Sequence, residues 1–216
     1  HFGAVNDTEV YNVQPDALLT NLKSIRVMLK STNSDLLSYA EPSLPMLRIN
    51  NQLKISEAAC DKTWKNSLQS NMSEQNGVRS LTLKGSFPRN CNKSYNISLF
   101  NHMEYTAGLF SRTFADLGGT LQGQAKRGRL PSTGLTLLAS QTSRTAAEIL
   151  RDINKYSNNV MAQHVFLTIG VNAQANNPLA LDNEKAAQAI QTLLQQKGIA
   201  VPELVLENGS GLSKNE

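Results

Sequence analysis

"TAAEILRDINKYSNNVMAQHVFLTIG", residues 145–170, holds two helical patterns that meet at a polar joint. Thr145 and Glu148 stand at capping-box spacing, and Ala146, Ile149, Leu150 and Ile153 fall at i, i+3, i+4 and i+7. A core-facing helix is therefore expected to end near Lys155. Residues 160–169 are apolar nearly all round and close on Gly170, as in a helix buried inside a domain. Between the two patterns, Tyr156-Ser157-Asn158-Asn159 crowds a hydroxyl and two carboxamides into the junction. A third helix fits residues 183–197, with Ala186, Ile190, Leu193 and Leu194 on one side and Gly198 as its stop. Residues 201–206 then read as a strand that runs into the turn Asn208-Gly209-Ser210-Gly211.

Upstream the period changes. Met103, Ala107, Phe110, Phe114 and Leu117 form one stripe of an amphipathic helix, which Gly118-Gly119 stops. Residues 121–125 and 135–139 look extended, separated by a loop that holds Lys126-Arg127-Gly128-Arg129 and Pro131. That basic run reads as a solvated loop rather than a phosphate clamp. The first hundred residues read as β. Ile25-Arg26-Val27-Met28-Leu29-Lys30 alternates an apolar face with a face of Arg and Lys around Met28. Leu47 and Ile49 flank Arg48, Leu53 and Ile55 flank Lys54, and residues 78–83 repeat the pattern. Breakers lie between them: Asn33-Ser34-Asp35, Pro42, Pro45, Asn76-Gly77 and residues 85–88. Short strands with such punctuation imply a small sandwich or barrel. The expected fold class is α+β and multidomain. Residues 1–125 are a β-rich module ending in a helix and a strand, and residues 126–216 belong to a mixed α/β domain.

A chain of 216 residues, 40% hydrophobic and only 18% charged, can bury a substantial core. The excess of 21 Lys and Arg over 17 Asp and Glu is too slight for a nucleic-acid footprint. No run has the apolar length of a membrane span. His1-Phe2-Gly3-Ala4 carries neither an initiator Met nor a signal pattern, so the chain is expected to begin inside a longer protein. Cys60 and Cys91 have no His or second Cys at metal-ligand spacing, and a disulfide between them is expected, the alternative being two buried free thiols in a cytosolic protein. It would stabilise by about 3 to 4 kcal/mol on the loop-entropy model, and it points to an oxidising compartment. Five Asn-x-Ser/Thr sequons begin at Asn6, Asn71, Asn92, Asn96 and Asn208, most of them accounted for by chance in a chain rich in Asn and Ser.

The chain has no Gly-x-Ser-x-Gly elbow, no phosphate loop and no His-Glu-x-x-His. His1, His102 and His164 lie far apart in sequence, so a His-based triad or a zinc site is not expected, and no cofactor is. His164 reads as a core residue with a satisfied imidazole. A serine enzyme without histidine needs another proton acceptor, and penicillin-recognising enzymes use lysine. Their elements are Ser-x-x-Lys, Ser-x-Asn and Lys-Thr-Gly. The middle element needs a hydroxyl to relay a proton to the leaving amine and an amide to hold the substrate's peptide carbonyl. Setting it between two buried helices would fix both groups in advance.

"AAEILRDINKYSNNVMAQHVF" (146–166) and "LENGSGLSK" (206–214) resemble the low-molecular-mass class C penicillin-binding proteins, the D-alanyl-D-alanine carboxypeptidase/endopeptidases of the penicillin-binding protein 4 type. So do "YNVQPDALLTN" (11–21), "LKGSFPRNC" (83–91) and "MEYTAGLFSRTFADLGGTLQG" (103–123). The resemblance covers nearly the whole chain in order. It implies a serine peptidase domain, interrupted by inserted β domains, that acts in the periplasm on peptidoglycan stem peptides and binds β-lactams. It places Ser157 and Asn159 in the second motif, and Ser210, Gly211 and Lys214 at the substrate side. Lys214 stands where the family commonly has Arg, so charge is kept and a bidentate fork is lost. Tyr156 and Asn158 would also satisfy a Tyr-x-Asn form, although the surrounding match favours Ser157 and Asn159. Neither Ser-x-x-Lys nor a Lys-Thr-Gly in family order occurs in the sequence. These elements are expected before and after this chain, as in an interior piece of a longer enzyme that is inactive alone. A non-catalytic wall-binding or scaffold protein of the same fold, or a β-lactamase, are the alternatives.

Overall fold

The computed structural model describes residue 10 and residues 13–129, 131–173 and 181–212. The chain divides into two compact units, His1–Val10 with Leu18–Arg129, and Tyr11–Ala17 with Leu130–Glu216. The fold is α+β.

The described residues of the first unit form six strands, β1 (Ile25–Ser31), β2 (Leu36–Glu41), β3 (Leu47–Ser56), β4 (Leu68–Gln75), β5 (Val78–Pro88) and β6 (Asn92–Ile97). They form two three-stranded sheets, ordered β2-β1-β6 and β3-β5-β4. In the first sheet β1 is central and antiparallel to both neighbours. The period-2 pattern of β1 turns Val27 and Leu29 inward, where they meet Leu81, Leu83 and Phe87 of β5, with Trp64 and Cys91, in one core. Each such fully buried apolar side chain contributes about 1.5 to 3 kcal/mol. The two sheets therefore pack as a small sandwich. Ser31, one of two buried polar residues among the described residues of this unit, is satisfied at the sandwich edge: its Oγ donates to Pro88 O at 2.5 Å and accepts from Cys91 N at 3.0 Å. The Cys60–Cys91 disulfide is formed, with Cα atoms 5.6 Å apart.

The second sheet departs from the sequence reading. β5 continues through residues 85–88, which carry breaker residues, and pairs with β3 in parallel and with β4 antiparallel. Gly85 sits at φ +99°, and a Cβ there would fall 2.0 Å from the Ser67 carbonyl oxygen. Glycine permits the close approach of the chain entering β4, so here it continues a strand. Asn76 and Gly77, at φ 51° and 74°, make the tight turn between β4 and β5.

Helix α1 (His102–Asp116) opens with a capping box, Asn101 with Glu104. It turns Tyr105 and Gly108 inward; the Tyr105 hydroxyl donates to Ser24 O at 2.8 Å, and a Cβ on Gly108 would collide with Met46. The apolar stripe read from its periodicity lies elsewhere. Phe110 is 59% exposed, and its ring stacks on Phe114 at 5.7 Å. Arg79 of β5 ties the helix down, with ion pairs to Glu74 at 2.9 Å and Glu104 at 3.2 Å and its guanidinium 4.7 Å over the Phe100 ring.

The second unit contributes α2 (Ala146–Tyr156), α3 (Asn159–Asn172) and α4 (Asp182–Gln196). Residues 121–125, 135–139 and 201–206, expected to be extended or strand, pair with nothing among the described residues and are not strands. A strand exists only through a neighbour's hydrogen bonds. Leu137 and Leu138 are accordingly 81% and 93% exposed. Gly170 lets α4 meet α3 closely, because a Cβ there would lie 1.8 Å from Asp182 O.

Candidate functional site

The helix α2 begins as its sequence requires. Thr145 Oγ1 accepts from Glu148 N, and the Glu148 carboxylate returns to Thr145 N at 3.0 Å. The helix ends at Ser157, which takes φ 48° and ψ 51° and donates its backbone N–H to Ile153 O. Ser157 is the one non-glycine residue with positive φ among the described residues of the second unit. The left-handed conformation costs a non-glycine residue on the order of 1 kcal/mol. It reverses the chain at once, so that α3 starts two residues later.

Asn158 is the N-cap of α3, its Oδ1 accepting from Met161 N at 3.1 Å. That carboxamide is committed to the helix. The Ser157 side chain is exposed and Asn159 is half-buried, and among the described residues no hydrogen bond engages either side chain. The sequence reading did not single out the capping role of Asn158, although an Asn immediately before an apolar helix signals it.

Phe166 and Gly170 lie seven and eleven residues beyond Asn159, close to two and three turns, and so share its face of α3. Gly209 presses on that face; a Cβ added to it would come within 2.8 Å of Phe166 Cβ. The loop is held as an Asx turn, with Ser210 N and Oγ donating to Asn208 Oδ1 at 2.9 and 2.7 Å. Ser210 and Gly211 thus belong to a loop seated on the face of α3 that Asn159 begins, about 10 Å further along the axis. Lys214 lies outside the described residues.

A family model described as the D-Ala-D-Ala carboxypeptidase 3 (S13) family matches residues 5–216. The chain belongs to the S13 family. Among solved structures it is similar to the crystal structure of penicillin binding protein 4 (dacB) from Haemophilus influenzae, complexed with a novel β-lactam. The TM-score is 0.59 at 21% identity, over 90% of this chain and 43% of that one. At that identity the likeness establishes the fold, and this chain spans less than half of that protein's length. No curated protein sequence matches it.

Around the junction of this S13 chain, charge is arranged on α2. Arg144 hydrogen bonds Asp152 at 2.6 Å and holds its carboxyl below the ordinary range; Arg151 adds a second contact at 3.5 Å. The Thr145 hydroxyl does the same for Glu148. Lys155 Nζ lies 5.5 Å over the Tyr156 ring, and Tyr156 is 69% exposed. His164 departs from its expected satisfied state, since its Nε2 is buried without a partner among the described residues. Five residues beyond Asn159, it points away from the Asn159 face. An open groove of ≈ 690 Å³ runs between α4 and Leu206-Glu207; Ser157 and Asn159 do not line it. Among the described residues no group of three His, Cys, Asp or Glu could hold a metal, and no helix is long and apolar enough to cross a membrane.

Proposed function

We propose that the intact protein is a serine-type DD-peptidase that removes the terminal D-alanine of peptidoglycan stem peptides and cleaves peptide cross-links outside the cytoplasm, in the periplasm. The attacking serine, with its lysine base, and the Lys-Thr-Gly strand are expected in the remaining length of the protein. The serine oxygen bonds to the D-Ala carbonyl carbon, the C–N bond breaks, and the departing amine takes a proton. Water then hydrolyses the ester. Ser157 relays that proton, and Asn159 donates from its amide to the substrate's carbonyl oxygen. The loop at Ser210 and Gly211 flanks the substrate, and Lys214 pairs with its terminal carboxylate as a point charge.

One observation supports this reading: at the α2–α3 junction Asn158 is committed as a helix cap, whereas the hydroxyl and carboxamide on either side of it have no hydrogen-bond partner among the described residues. The β-rich unit is proposed as an insertion in the peptidase domain. A fluorescent penicillin tests the whole scheme. Persistent covalent labelling of the intact protein is expected, with none of the 216-residue chain alone. An intact protein that never labels would be a non-catalytic wall-binding relative, and one that turns the drug over rapidly would be a β-lactamase.

A further inference from the structure

The outer face of the β3-β5-β4 sheet has an unusual composition. Register places Asn50 beside Thr82 and Thr82 beside Asn71 in one row across the three strands. The two flanking rows on this face bring in Arg48 and Lys84, and the row beyond Lys84 brings in Lys54. All other positions from residue 48 to 54 on β3, 69 to 73 on β4 and 80 to 86 on β5 that share this face are Ser or Gln. Arg48, Asn50, Lys54, Asn71 and Lys84 are exposed. Glu74 is the sole acid on the three strands. It belongs to the opposite face, opposed to Arg79, whose Nε it accepts at 2.9 Å. The chain as a whole has 17 acids against 21 bases, so an acid-free face with three cations is a local property that overall composition does not supply.

We infer that this face is a docking surface for an acidic, hydroxyl-rich glycan polymer, separate from the α2–α3 junction. Amides and hydroxyls in rows match sugar hydroxyl and acetamido groups, which both donate and accept. The three cations match carboxylates borne along the polymer. Residues 48–54 of β3 run for about 20 Å, and three strands span about 10 Å, a strip suited to an extended chain. The same face lacks the aromatic platforms on which single-stranded nucleic acid stacks. It also lacks the apolar residues that an interfacial lipid contact buries. The choice of cell-wall peptidoglycan as the probe rests on the peptidase reading; the surface itself does not.

The test is co-sedimentation of the full 216-residue chain with insoluble peptidoglycan at low and high salt. Binding is expected, weakened by salt, and about tenfold weaker in the Arg48→Gln/Lys54→Gln/Lys84→Gln variant. The Asn50→Glu/Asn71→Glu variant, which places two carboxylates on the face, should bind more weakly still. Lys126→Gln/Arg127→Gln/Arg129→Gln removes equal charge from the exposed loop and should bind as the parent does. These positions are exposed, and an unchanged circular dichroism spectrum checks that each variant is folded. The inference is overturned if the parent does not sediment or if the face variants bind as the parent does. It is equally overturned if duplex DNA or phosphatidylglycerol vesicles bind the face more tightly than peptidoglycan. Penicillin labelling of the intact protein should be the same with or without the face substitutions, so failure here and failure of the peptidase scheme are told apart.

Discussion

Two adjacent asparagines at the α2–α3 joint are held differently, and the proposed function gives them separable duties. Asn158→Ala removes the N-cap of α3 and is expected to cost about 1 kcal/mol in urea denaturation. Asn159→Ala leaves the cap in place. In the intact protein it should slow acylation by penicillin on the order of 100-fold, while Asn158→Ala changes that rate far less; the reverse order would move the motif one residue back, onto Tyr156 and Asn158. Tyr95 offers a second residue-scale expectation. Its ring packs on Trp64 at 6.1 Å, its hydroxyl is buried without a hydrogen-bond partner among the described residues, and burial pushes its pKa up to about 12. The folded state favours the neutral phenol, so this contribution to stability is present below the ordinary value of 10 and is lost as pH rises toward 12. Tyr95→Phe should therefore match or exceed the parent by up to about 1 kcal/mol at neutral pH. It should also lose less stability over that alkaline window, as read by chemical denaturation.

The elements differ in what holds them. The first turn of α2 depends on an ionised Glu148 carboxylate, which Thr145 holds below its usual 4.5. With a depressed folded value, the cap's stabilisation is complete above 4.5 and disappears as pH falls through the folded value. Hydrogen exchange at Ile149, whose N–H donates to Thr145 O at 3.1 Å, should accelerate over that acid range more than exchange at the middle of α3. Strand β5 depends instead on a missing side chain. Gly85→Ala must displace the Ser67 carbonyl and hold alanine at φ +99°, and a loss of about 3 kcal/mol is expected in thermal or urea unfolding. The same local view explains which elements could be read in advance. β1, β3 and the first half of β5 alternate cleanly. β4, sequence LQSNMSEQ, is exposed along nearly its whole length; it lies at the edge of its sheet with no apolar face to announce it.

For the whole molecule, the Cys60–Cys91 bond closes a 31-residue loop that contains Trp64, the single tryptophan. Replacing both cysteines with serine should cost the first unit about 3 to 4 kcal/mol. The loss should show as a lower midpoint for the Trp64 fluorescence transition, a probe that reports on that unit alone. The helices α1 to α4, the central strand β1, the disulfide pair and the family itself were legible in the residues, because helix hydrogen bonds and caps are made within one segment and leave a periodic trace there. Tertiary structure alone decided that β3 runs parallel to β5, that residues 85–88 extend a strand, and that residues 121–125, 135–139 and 201–206 form none. It alone decided which face of α1 is covered and which of two neighbouring carboxamides caps α3. Strand pairing, close backbone approach and burial of a helix face each need a partner distant in the chain, and a partner leaves no mark on the residues that will meet it.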